Sequence, residues 1–236
     1  MKELLLLQAE HIMPPLQPPG IAVLRNMLVK FSHLEELQIS NIGLTDEDLC
    51  ILVPSLRTHK QVRCFDLSIK NFIAKGLKGL PSELFERLCV LYIHRNQLCA
   101  ARPHVLAINI PRMKNMKKLF FGVSGMGKDG TIIVVPVYQG RKGLHRLHYE
   151  ENDFDNDGVA YLAPCPSILP NFNSKILDIR CMVQLDLSND QLGKNEAVTL
   201  SPSLTSMLCL CVLALDGNSI RAKGHGCLAV ALTHCH

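Results

Sequence analysis

The feature that most constrains this chain is a leucine-rich frame that recurs along its length. The frame has apolar residues at positions one, four, six and eleven, and its ninth position is Asn in several copies. The best copy contains Leu88, Leu91, Ile93, Asn96 and Leu98. The frames start at residues 6, 34, 62, 88, 116, 144, 182 and 210. A repeated unit of about 28 residues is typical of a solenoid, in which no unit folds alone.

Each unit combines two hydrophobic periods. Positions four and six are apolar around position five, as in a short strand with one buried face. The second half of the unit spaces its leucines at i, i+4 and i+8, which favours an amphipathic helix. In the segment 44–49, Thr45 or Asp46 can cap such a helix, and the acidic residues after them suit its positive end. The sequence therefore predicts a parallel sheet on one side and mostly helices on the other. The array of repeats should curve, with the strands on its concave face, because helices are wider than strands.

Segments such as LEELQISNIGLTDEDLCILVPSL and LCVLALDGNSIRAKGHGCLAVAL resemble leucine-rich repeats of the ribonuclease-inhibitor subtype, including those of the C-terminal regions of NOD-like receptors. The resemblance covers nearly the whole chain. It implies an α/β horseshoe-shaped solenoid that occupies residues 1–236 as a single domain. The function it implies is non-catalytic protein–protein interaction, as in the ligand-sensing or autoinhibitory repeats of a NOD-like innate immune receptor. Related repeats in the ribonuclease inhibitor and in GTPase-activating proteins leave open an inhibitor or a small-GTPase regulator.

Some units depart from the frame. The ninth-position Asn, which in this family bonds the backbone of the turn, is replaced at Ile42, Lys70, Ser124 and Asp190. The segment 131–138 is rich in β-branched residues and contains Pro136, so we expect extended or irregular structure there. About ten extra residues near 163–181 form an insert whose structure the sequence does not predict.

Composition limits the compartment and the classes of partner. The ten cysteines are scattered along the chain, and no Asn-x-Ser/Thr site is present, which favours a reduced, cytoplasmic protein. No apolar stretch approaches the roughly 18 residues needed to span a bilayer, so no membrane partner is expected. A net charge of +4 is too small to indicate nucleic-acid binding by itself. The oligomeric state is left open.

Three motifs could carry other chemistry. The loop from Gly122 to Lys128 has the spacing G-x-x-x-x-G-K, but Asp129 stands where a phosphate-binding loop needs Ser or Thr. A nucleotide binder is therefore a second alternative only. The acidic run at 153–157 does not continue as a calcium loop, because its twelfth position is Pro164. The Cys and His residues at 225–236 lack the paired spacing of a structural zinc site. We predict no catalytic residue, no cofactor and no metal ligand.

The predicted concave face is the strongest candidate for a binding surface. Its fifth-position ladder consists of Glu10, Gln38, Asp66, Tyr92, Phe120, His148, Asp186 and Ala214. Three aromatic rings should therefore lie on neighbouring rungs about 4.8 Å apart. Basic residues surround them at Arg95, Lys117, Lys118 and Arg146, and acidic residues lie to one side at Glu35, Glu36 and Asp66. Aromatic residues with Arg are characteristic of protein-binding hot spots, whereas the acidic flank makes RNA the weaker choice. A mixed polar face without a ligand has the same composition, and the sequence does not separate the two.

Overall fold

The computed structural model describes residues 2–5, 18–69, 74–96, 109–127, 130, 143–153 and 181–234. Within these residues eight strands form one parallel sheet, ordered as they occur in the chain. The strands are β1 (Glu3–Leu5), β2 (Glu36–Gln38), β3 (Cys64–Asp66), β4 (Val90–Tyr92), β5 (Lys118–Phe120), β6 (Arg146–His148), β7 (Gln184–Asp186) and β8 (Val212–Ala214). Sequential parallel pairing of short strands is the arrangement of a leucine-rich-repeat solenoid, and it agrees with the repeat frame of the sequence.

Helices connect several of the strands. The α-helices in the described residues are α1 (Pro18–Lys30), α2 (Asp46–Thr58), α3 (Ala74–Gly79), α4 (Ser82–Arg87), α5 (Lys194–Leu204) and α6 (Arg221–Leu232), and a 3₁₀ turn covers Ile110–Arg112. Helix α1 packs on α2, and α5 packs on α6. The predicted cap of α2 is present: Thr45 Oγ1 accepts from Asp48 N at 3.3 Å, and Asp48 Oδ2 accepts from Thr45 N at 2.9 Å. No helix among these residues has both the length and the apolar character needed to cross a membrane.

The core lies between the strands and the helices. The central residue of each strand points into it, and these residues pair in one ladder: Leu4, Leu37, Phe65, Leu91, Leu119, Leu147, Leu185 and Leu213. All are buried except Leu213, which is partly buried in the last strand. The sixth frame position adds a second buried row, with Leu67 and Phe121 as examples. The alternation expected of strands with one buried face is therefore confirmed in β2, β4, β5, β6 and β7, whereas in β3 the third residue, Asp66, is buried as well.

The first strand lies earlier than the frame predicted. Leu4 pairs with Leu37, which is the fourth position of its frame, so Leu4 takes the place that a frame starting at 6 gives to Ala9. The first unit thus begins its strand five residues sooner, and its fifth position is Leu5, in place of Glu10. The physical reason is the run of leucines from Leu4 to Leu7. A run without alternation does not select one register of pairing. From β2 to β8, each strand occupies positions three to five of the predicted frame.

The turns after the strands are fixed by the ninth-position asparagines. Asn152 Nδ2 donates to the carbonyls of Tyr149 at 2.6 Å and Phe121 at 3.3 Å, which belong to its own and to the preceding unit. Asn96 and Asn218 donate to the equivalent carbonyls. The predicted role of this Asn in the turn is confirmed at these three positions. Each such side chain ties two successive units together.

Several predictions concern residues outside the described part of the chain. These are the irregular segment 131–138, the insert 163–181 apart from Cys181, the pair Lys128 and Asp129, and the last two residues of the tail.

Candidate protein-binding face

The open face is the side of the sheet opposite the core, formed by frame positions three, five and seven. At its centre the predicted aromatic residues form a continuous stack of Tyr92, Phe120 and His148. The ring centroids of Tyr92 and Phe120 are 4.3 Å apart with an interplanar angle of 15°, and those of Phe120 and His148 are 4.6 Å apart at 29°. These spacings follow from the register, which pairs the three residues on consecutive strands. We call this set the aromatic stack.

The aromatic stack is partly exposed, in contrast to the fully buried rings Phe121 and Tyr149 behind it. His94 meets Tyr92 edge-on, with ring centroids 6.5 Å apart at 76°. Burial lowers the pKa of His94, so the neutral ring is favoured. The centre of the open face is therefore a partly exposed strip of aromatic rings in mutual contact.

The predicted basic residues lie on both sides of the aromatic stack. Lys118 pairs with Arg146 across β5 and β6, two residues before the stack and on the same face. Lys117, just before β5, is exposed. Arg95 is exposed in the turn after β4, where its N–H donates to the carbonyl of Gly122 at 2.9 Å. The sheet therefore brings Lys118 and Arg146 together, whereas Arg95 lies at the opposite end of the strands.

The face is acidic beside the stack towards β2 and β3. Glu36 on β2 is paired in register with Cys64 on β3, and Asp66 Oδ1 accepts from Ser68 N at 2.8 Å. Burial, reinforced by the charges of Glu36 and Asp66, raises the pKa of the Cys64 thiol to about 12. The thiol is thus protonated at neutral pH and is a poor nucleophile.

A second polar group on the open face was missed by the sequence analysis. His148 Nδ1 lies 3.7 Å from Asp186 Oδ2 and 3.9 Å from Glu150 Oε2. Burial raises the pKa of Glu150, and the neighbouring charge of Asp186 acts in the same direction. One imidazole and two carboxylates are side chains that hold divalent metals. The signal was present in the frame, because His148 and Glu150 are positions five and seven of one unit and Asp186 is position five of the next.

The glycine-rich loop from Gly122 is part of the repeat turn. Ser124 N and Met126 N both donate to Asn152 Oδ1 at 3.2 Å, and Gly127 N donates to the Asn152 carbonyl at 2.8 Å. A phosphate-binding loop needs free backbone N–H groups directed at the ligand. These three N–H groups are occupied by Asn152, which argues against the nucleotide alternative.

A separate recess lies on the helical side, between the ends of α2, α3 and α4. It has a volume of about 900 Å³. Its lining includes Arg57, Lys60, Lys78, Arg87, Arg112 and Glu83. None of the residues that line this recess belongs to the aromatic stack.

No known family profile matches this chain, and no curated protein matches it. Among solved structures, it is similar to the C-terminal domain of tropomodulin from Caenorhabditis elegans, with 20% sequence identity and a TM-score of 0.43. The similarity covers 55% of this chain and 81% of that one.

Proposed function

We propose that this chain is a non-catalytic protein-interaction scaffold that binds a partner protein on its open face. The observation that carries the proposal is the aromatic stack, in which three partly exposed rings from consecutive strands lie in contact. Aromatic residues and Arg are enriched where interfaces are most tightly held, because large rigid side chains bury much area at little entropic cost.

The charges around the stack suggest the chemistry of the partner. Lys118 and Arg146 lie side by side at one end of it, next to the exposed Lys117. Asp66 and Asp186 occupy the rungs on its two sides. A partner with an apolar centre and acidic residues opposite the lysines fits this pattern. A polyanion such as RNA would meet these carboxylates, so a protein is the better candidate.

The finer parts of the proposal rest on the sequence. The repeats are of the ribonuclease-inhibitor subtype, and the array of repeats curves into a horseshoe with the open face on its concave side. The chain acts in the cytoplasm as the ligand-sensing or autoinhibitory repeat region of a NOD-like receptor. What supports this is the resemblance of segments such as 34–56 and 210–232 to repeats of those receptors.

The test is a pull-down from cytosolic extract with the intact chain, followed by purification of the captured protein. The bait is compared with a variant carrying Tyr92→Ala, Phe120→Ala and His148→Ala. A matched control carries Val23→Ala, Val198→Ala and Val230→Ala, three exposed apolar residues on α1, α5 and α6. Circular dichroism establishes that all three proteins are folded, and nuclease treatment removes capture through RNA.

We expect a purified partner to bind the wild type and the control with equal affinity and the aromatic variant at least tenfold more weakly. Hydrogen exchange of the complex should show protection at β4, β5 and β6. Equal binding to all three baits would overturn the proposal that the aromatic stack is the contact surface. Capture that disappears with nuclease would indicate RNA as the ligand.

A further inference from the structure

We propose that His148, Glu150 and Asp186 form a binding site for a divalent transition-metal ion, with Zn²⁺ as the expected occupant. The site lies on the open face between β6 and β7 and does not depend on the proposed partner. The three potential ligand atoms all lie within 4.8 Å of one another. In tetrahedral coordination with bonds of 2.0–2.2 Å, ligand atoms are about 3.4 Å apart. The distances of 3.7 and 3.9 Å from His148 Nδ1 to the two carboxylates are a few tenths of an ångström longer.

Each ligand is already held in position by the residues around it. Asp186 Oδ1 accepts from Ser188 N at 3.0 Å and Ser188 Oγ at 2.7 Å, which leaves Oδ2 directed at His148. The His148 ring stacks on Phe120, and this contact sets the plane of the imidazole. Groups that orient ligands in this way contribute much of the affinity of metal sites.

The environment of the Glu150 carboxylate points to a bound cation. Its Oε2 atom is buried and has no hydrogen-bond partner among the residues that the structure describes. A buried carboxylate oxygen without a donor is costly, and a second carboxylate close by increases the cost. The carboxylate occupies space that exists only because residue 122 is glycine: a β-carbon at Gly122 would overlap it. A cation bonded to Oε2 supplies the missing partner and offsets the repulsion between the carboxylates of Glu150 and Asp186.

The ligand types select the class of metal. Magnesium and calcium prefer oxygen ligands alone, whereas an imidazole nitrogen with two carboxylates suits zinc and its neighbours. The side chains of His148, Glu150 and Asp186 are between 19% and 27% exposed, so solvent reaches the site from one side. Three protein ligands leave a fourth position for water or for a donor atom of another molecule.

Zinc binding to the intact chain tests the proposal, with equilibrium dialysis and atomic absorption giving the number of bound ions. The site variants are Glu150→Gln and Asp186→Asn, which keep the shape of each side chain. The matched control is Asp66→Asn, since Asp66 has the same bonds to its own serine, Ser68, on the other side of the aromatic stack. Exposed thiols such as Cys209 and Cys211 can also bind zinc, but they are unchanged in every variant.

We expect the wild type and Asp66→Asn to bind one ion more than either site variant. Ser188→Ala should weaken the binding of this additional ion about tenfold. Gly122→Ala should abolish its binding, although this substitution removes no metal ligand. In nuclear magnetic resonance spectra, zinc should shift the imidazole signal of His148. This signal is assigned by its absence from the spectrum of the His148→Gln variant. The same number of bound ions in wild type and site variants, or no shift of the His148 signal, would overturn the proposal.

Discussion

The Asn152 backbone N–H donates to Asp190 Oδ1 at 2.7 Å, so that the ninth positions of two neighbouring units are directly bonded. Asp190 is fully buried, and within the described part of the chain its other oxygen, Oδ2, has no hydrogen-bond partner. At the same place in the next unit, Asn218 donates through Nδ2 to the carbonyls of Leu187 and Leu215, both at 2.8 Å. Asp190 as a carboxylate has no proton with which to make such bonds.

We expect Asp190→Asn to stabilise the fold at pH 8 and above by about 1–3 kcal/mol, because an amide both accepts from Asn152 and donates to the turn. Burial raises the pKa of Asp190 to about 8. The folded state therefore prefers the protonated acid. In the wild type this contribution to stability is present below pH 4 and is lost as the pH rises towards 8.

Urea unfolding at several pH values measures this effect. The pH dependence between 4 and 8 should be reduced in Asp190→Asn, and Asn218→Asp should introduce a similar dependence at its own site. Identical pH profiles for the wild type and Asp190→Asn would contradict the assignment.

Asn152→Ala should lower the free energy of unfolding by at least about 3 kcal/mol. The side chain bonds Tyr149, Phe121, Ser124 and Met126, and its removal leaves buried backbone groups without partners. Chemical denaturation gives the change, and Asn218→Ala is the comparison. The loss should be smaller there, since Asn218 is only partly buried. Equal losses would mean that burial does not set the cost.

Val123 has a positive φ of 55°, which a β-branched residue adopts only with strain. The equivalent residue three units later, Gly217, has a φ of 67°. Val123→Gly should therefore raise the free energy of unfolding by about 0.5–1 kcal/mol, after allowance for the greater freedom of glycine in the unfolded chain. Thermal denaturation measures the change, and the reverse substitution Gly217→Val should destabilise. A lower melting temperature for Val123→Gly would show that its side-chain contacts outweigh the strain.

The contact between Tyr92 and Phe120 should stabilise the open face by about 0.5–1.5 kcal/mol. A double-mutant cycle with Tyr92→Leu and Phe120→Leu isolates that coupling energy. The pair Tyr92→Leu and Leu208→Ala is the control, since Leu208 is exposed beyond α5. Additive effects in both pairs would mean that the rings are neighbours without being coupled.

Much of this fold follows from the sequence, because position four of each frame must be buried and position five must then face the other way. That alternation is sufficient to predict, from the sequence alone, that Tyr92, Phe120 and His148 lie on neighbouring strands. It fails at Leu4, where consecutive leucines leave the register undetermined. The group of His148, Glu150 and Asp186 was missed for another reason. The predicted ladder contains only fifth-position residues, whereas Glu150 is at position seven of its unit. In addition, the orientation of the Glu150 carboxylate depends on the space above Gly122.

Each strand of the sheet is three residues long, and only its first and third residues reach the open face. Each of these strands therefore offers two side chains to the open face, such as Lys118 and Phe120 from β5, while its middle residue is part of the core. Exchange of Tyr92 or Asp186 alters one rung and leaves the hydrophobic interior intact. The chemistry of the open face can thus change one repeat at a time, through evolution or engineering, without a new scaffold.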